Sequence, residues 1–191
     1  TVGKAATSTA ILSDNPDHSA VGQSVTIVAQ VTVTAPGSGT PTGMGEFFEG
    51  ANSLGQSAVS GGMASLATTQ LPGGMLSLTA QYLGDANFAG SVSSPEAHRV
   101  NQPPSATVSA PSTSVVGETI TLTGMGTDPD VGDILSFEWD FDFDGVTFVA
   151  NVATQNAMTA YASPGARTIA LRVTDNLGAS QIDTISVAVG K

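Results

Sequence analysis

The sequence predicts an all-β protein made of two tandem β-sandwiches, and three observations carry that expectation. Apolar and polar residues alternate with period two along short runs of about 5 to 10 residues, the spacing that sends one face of a strand into a core and the other into water. Gly, Pro, Asn and Asp cluster between the runs, where turns require them. Near the middle of the 191 residues, Asn101-Gln102-Pro103-Pro104 breaks the pattern, and a Pro-Pro step makes a short, stiff connector that cannot continue a ladder. These divide the chain into domains at 1–100 and 101–191. No helical periodicity competes.

The elements follow in order. Val25, Ile27, Ala29, Val31 and Val33 share one strand face, with Thr26, Gln30, Thr32 and Thr34 opposite. Leu76, Leu78, Ala80 and Tyr82 repeat the scheme. Gly61-Gly62 and Pro72-Gly73-Gly74 punctuate the runs as tight turns; as phosphate cradles they would need a following helix. In the second half Ile120 and Leu122, then Ile169, Leu171 and Val173, then Ile185, Val187 and Val189 are the inward positions. Asp175-Asn176-Leu177-Gly178 is the turn joining the last two strands. Each half reads as a seven-strand sandwich.

Composition bounds the function. Charged residues make up 11% of the chain, and five basic residues face sixteen acidic ones for a net charge of −11. Nucleic acid and anionic membrane surfaces both need clustered Lys and Arg, so neither is expected as a partner. Divalent cations are the favoured class. Without cysteine there is no disulfide, thiolate site or Cys nucleophile. No apolar run approaches the roughly 18 residues of a membrane span, so no direct membrane insertion is expected. The chain begins at Thr1 in mid-pattern, as a piece of a longer protein would.

The stretch most suggestive of chemistry is FEWDFDFDG, residues 137–145. Read as a strand, it puts Phe137, Trp139, Phe141 and Phe143 on one side and Glu138, Asp140, Asp142 and Asp144, wet, on the other. Read as a calcium loop, it offers Asp140, Asp142 and Asp144 as ligands. The strand is favoured, because twelve residues counted from Asp140 end on Asn151 where an EF-hand needs a bidentate Glu. A better-placed group is Asp128, Asp130 and Asp133, in a loop that the sandwich topology brings to the same end as Asp175. Seven acids fall between residues 128 and 144 with no Lys or Arg among them, and that repulsion is a motive for a hard cation with oxygen ligands. Turn formation by Asp-Pro-Asp is the plainer alternative. The two acidic groups lie about 26 Å apart at the strand rise and cannot share an ion. No cofactor is required; calcium is the ion to test, and at the end where the first domain's Asp17 and Glu49 also fall it would stiffen a junction.

Residues 7 to about 100, with GQSVTIVAQVT, PTGMGEFFEG and LTAQYLGDANFAGSVS, resemble the bacterial Ig-like repeat found in tandem in surface and secreted proteins. Residues 101 to 190, with TDPDVGD, LSFEWDFDFDG and SPGARTIALRVTDNLGAS, resemble a PKD domain. The resemblance implies immunoglobulin-like sandwiches, with Trp139 as the central inter-sheet residue. The second match departs from its family in one place: the family's W-D-F-G-D-G turn is longer here, Trp139-Asp140-Phe141-Asp142-Phe143-Asp144-Gly145.

Other chemistry finds little support. His18 and His98 are expected to be exposed at a loop and a strand end, and no Gly-x-Ser-x-Gly elbow accompanies them. Paired carboxylates for glycoside hydrolysis would need an apolar cleft that a small sandwich hardly offers. Sugar binding needs exposed aromatic platforms, for which Phe48 and Phe148 are the candidates. Thr- and Ser-rich edges with few lysines leave strand addition by a partner feasible.

The expectation is therefore a non-catalytic rod segment, structural or adhesive, of a bacterial cell-surface or secreted protein, with no catalytic residues. Its partners would be neighbouring Ig-like domains, a surface protein or a polysaccharide. The alternative is a carbohydrate-binding or spacer appendage of a secreted polysaccharide-degrading enzyme.

Overall fold

Alternation of β-branched and small polar residues produces strands throughout, and the computed structural model, which describes residues 3–191, contains no helix among them. The chain separates into two compact units, one ending at Asn101 and the other running from Gln102 to Lys191.

In the first unit, β1 (Thr7–Asn15), β3 (Val25–Val33) and β6 (Met63–Thr68) form an antiparallel sheet in the order β1-β3-β6. The facing sheet holds β2 (His18–Ala20), β9 (Glu96–Asn101), β7 (Gly74–Tyr82), β4 (Met44–Glu49) and β5 (Asn52–Ala58) in the order β2-β9-β7-β4-β5, with β8 (Ser91–Val92) beside β7. Among its described residues the unit thus has nine strand segments instead of seven: the chain leaves one sheet after Asn15 and joins the other at His18, splitting the first strand in two, and the two-residue β8 adds another. Val25, Ile27, Ala29 and Val31 interdigitate with Phe47, Leu78, Ala80, Tyr82 and Val100 across the sandwich.

The second unit has seven strands. β10 (Thr107–Ser109), β12 (Ile120–Met125) and β14 (Asn156–Thr159) make one sheet; β11 (Thr113–Val115), β16 (Ser180–Gly190), β15 (Gly165–Thr174) and β13 (Ser136–Asp140) make the other, in that order. Trp139 is wholly buried at the centre among Leu122, Ile169, Leu171, Val173 and Val187. Its indole N–H donates to the Thr154 carbonyl at 2.9 Å, so the polar end of the ring is satisfied.

Here the strand reading of residues 137–145 needs correction. β13 stops at Asp140, a residue 4% exposed whose carboxylate accepts the backbone N–H groups of Asp142 at 3.1 Å and Val149 at 2.8 Å. Those bonds curl the chain into a turn in place of a continued ladder. Asp140 is therefore buried, not wet, and Phe143 leaves the core to pack on Phe148 at 6.2 Å between ring centroids.

One arrangement recurs in both units. The short strand near the start pairs in parallel with the last strand: β2 with β9, from His18 opposite Arg99 to Ala20 opposite Asn101, and β11 with β16, from Thr113 opposite Ala188 to Val115 opposite Gly190.

Candidate functional site

In the second unit, the loop leaving β12 and the β15–β16 turn meet at one end, tied by the Ile134 N–H donating to Asn176 Oδ1 at 2.9 Å. There Asp128, Asp133 and Asp175 each present an oxygen, all within 4.8 Å of one another. Two of the three are held by their own turns. Asp128 Oδ1 accepts the Asp130 N–H at 2.8 Å, and Asp175 Oδ1 accepts those of Leu177 at 2.8 Å and Ala179 at 3.0 Å. Asp128 Oδ2 is buried without a hydrogen-bond partner. Asp130 stands apart: its carboxylate is taken by the Gln102 backbone N–H at 2.7 Å and Nε2 at 3.2 Å. Three carboxylates with oxygen donors alone suit a hard cation such as calcium, whose remaining positions would fall to water and backbone carbonyls.

Asp140, Asp142 and Asp144 line one open cavity, but they do not form a group whose oxygens all lie within 4.8 Å of one another. Asp140 is committed to two backbone donors, Asp142 pairs with Arg167 at 3.1 Å, and Asp144 caps Val146 and Thr147 at 2.8 and 2.7 Å. The Thr147 and Val146 bonds hold the Asp144 carboxyl below its usual range. The aromatic candidates are half-buried: Phe48 lies in β4, and Phe148 lies under the Arg172 guanidinium at 4.3 Å.

The first unit holds a polar cluster that the sequence did not announce. His98 is 1% exposed, against the expectation of a solvent-facing strand end. Its Nδ1 lies 2.8 Å from Asp14 Oδ2 and its Nε2 2.9 Å from Ser19 Oγ, so a buried Asp–His–Ser chain joins β1, β9 and β2. Burial explains why all three bond: an imidazole out of water needs both ring nitrogens satisfied. His98 shares the parity of Val100 along β9, the one sequence signal that it points inward. Its partner Asp14 is 84 residues away. Asp17, exposed on the crossover from β1 to β2, adds a third potential ligand atom within 4.8 Å of the other two.

Residues 12–101 match the bacterial Ig-like domain (group 3) family, and residues 101–189 match the PKD domain family. The chain is a bacterial Ig-like domain followed by a PKD domain. Among solved structures, the fibronectin(III)-like modules of Clostridium thermocellum CbhA are 18% identical over 95% of this chain and 93% of theirs, with a TM-score of 0.42. The PKD domain of an M14-like peptidase from a Thermoplasmatales archaeon is 23% identical over 48% of this chain and 100% of that one, with a TM-score of 0.40. The PKD1 domain of Vibrio anguillarum Epp is 26% identical over 47% of this chain and 95% of that one, with a TM-score of 0.36.

Bacterial Ig-like and PKD domains are common structural modules of bacterial surface and extracellular proteins. In this chain the PKD domain carries the all-oxygen cluster and the Ig-like domain the mixed nitrogen and oxygen cluster. Their donor sets suit different ions.

Proposed function

We propose that this chain is a non-catalytic structural segment of a bacterial surface or secreted multidomain protein, serving to hold a distal unit in place under load. The observation that supports it most is the parallel pairing of early and last strands in each domain, β2 with β9 and β11 with β16. Parallel partners pulled from opposite ends slide along one another, so their hydrogen bonds are loaded in shear and must yield together instead of unzipping singly. The Val21 N–H to Asn101 carbonyl bond at 3.3 Å extends the first pair, and Val116 to Gly190 at 3.1 Å extends the second. Calcium at Asp128, Asp133 and Asp175 is proposed as a brace for the PKD domain alone, joining the loop before β13 to the β15–β16 turn.

Single-molecule extension of the full chain between handles tests the reading. Two separate force peaks are expected, and Val21→Pro, which deletes one shear-loaded donor, lowers only one of them. A chain that extends without force peaks, or a Val21→Pro variant with both peaks unchanged, overturns it.

A further inference from the structure

The Ig-like domain's buried histidine offers more than a brace. His98 brings an imidazole nitrogen, and Asp14 and Asp17 bring carboxylate oxygens, to within 4.8 Å of one another. The three residues sit at graded depth: His98 is 1% exposed, Asp14 is 7% exposed, and Asp17 lies at the solvent boundary on the crossover between sheets. An ion can therefore enter past Asp17 and meet ligands already fixed behind it. The far ring nitrogen is held by Ser19 at 2.9 Å, the outer hydrogen bond by which a ligating histidine is oriented. Imidazole with two carboxylates is a borderline donor set, matched to zinc and poorly matched to calcium. Two carboxylates and a neutral imidazole carry a charge of −2, which a dication cancels.

We propose that Asp14, Asp17 and His98 form a zinc site, with water completing the coordination and Ser19 positioning the ring. The exchange balances. In the ion-free protein the Nδ1 proton lies toward Asp14; zinc takes its place, and a proton on Nε2 keeps the imidazole neutral. The Ser19 hydroxyl then accepts where it had donated. The Nδ1 to Oδ2 separation of 2.8 Å must open to about 3.3 Å for two bonds of about 2.0 to 2.1 Å at a tetrahedral angle, a small side-chain rotation.

The test is calorimetric titration of the full chain with zinc chloride, together with the ¹⁵N spectrum of its two histidine rings. Expected are one saturable equivalent, a shift of the His98 Nδ1 resonance, and at least a tenfold loss of affinity in Asp17→Asn. That substitution lies on the surface and leaves the buried Asp–His–Ser chain in place. His18→Gln and Asp128→Asn are expected to bind as the parent does. The proposal is overturned by an absence of saturable uptake, by uptake that survives Asp17→Asn, or by an unmoved His98 ring. Loss of binding in His18→Gln would assign the zinc to the exposed neighbouring histidine, and loss in Asp128→Asn would assign it to the PKD carboxylates; either also overturns it.

Discussion

Gly124 lies against Trp139. A methyl group added to Gly124 would stand 3.1 Å from Trp139 Cζ2, 3.0 Å from Leu171 Cδ2 and 2.6 Å from the Gln155 carbonyl oxygen. The side chains could give by a few tenths of an ångström; the backbone oxygen, in the segment entering β14, has less freedom. Gly124→Ala is therefore expected to destabilise the PKD domain by about 1 to 3 kcal/mol, the usual cost of overpacking a filled core. Urea denaturation followed by tryptophan fluorescence checks it, because Trp139 is the only tryptophan and reports on this domain alone. An unshifted midpoint would show that the sheet yields there without strain.

Asp85 is expected to contribute to the acid limb of the Ig-like domain's stability. Its carboxylate accepts Thr42 Oγ1 at 2.7 Å and the backbone N–H groups of Thr42 at 3.0 Å and of Asn87 and Phe88 at 2.8 Å, pinning the segment after β7 to the one before β4. The Thr42 hydroxyl above all, helped by the three backbone donors against partial desolvation, holds its pKa well below the ordinary carboxylate value. A folded-state pKa below the unfolded one means that the contribution is complete above the unfolded value of about 3.9 and is lost as pH falls below it. Asp85→Asn is thus expected to melt lower than the parent at neutral pH and to converge with it in strong acid. Parallel melts across that range decide the matter, and a gap that stays constant with pH would remove Asp85 from this role.

Calcium, if Asp128, Asp133 and Asp175 hold it, raises the unfolding midpoint reported by Trp139 fluorescence. Binding to the folded state alone contributes about 2.7 kcal/mol when the free ion is at a hundred times its dissociation constant. EDTA is expected to reverse the gain, and Asp128→Asn to abolish it. A midpoint indifferent to EDTA beside a flat calcium titration would leave the three carboxylates as turn formers and nothing more.

Much of the fold was legible because burial in a sandwich writes itself in period two. Val25, Ile27, Ala29 and Val31 read as inward and are at most 4% exposed, and Trp139 read as the inter-sheet residue and is fully buried. Reading failed where a side chain captured backbone. The alternation in FEWDFDFDG continues past Asp140, but the strand does not, because the Asp140 carboxylate competes for N–H groups that a ladder would need. It failed also where partners lie far apart in the chain. Nothing local to His98 discloses Asp14 or Ser19, which reach it only because the first strand changes sheets. At the acidic end of the PKD domain, sequence placed Asp130 with its neighbours, but the competing attraction of Gln102 turns it away.

The parallel partnership of early and last strands also fixes where a domain's ends emerge. Since both strands of each pair point the same way, the polypeptide enters every sandwich at one pole and departs at the other. Within each unit the entry and exit of the polypeptide are therefore kept apart by the paired strands themselves, whatever length the loops between them take.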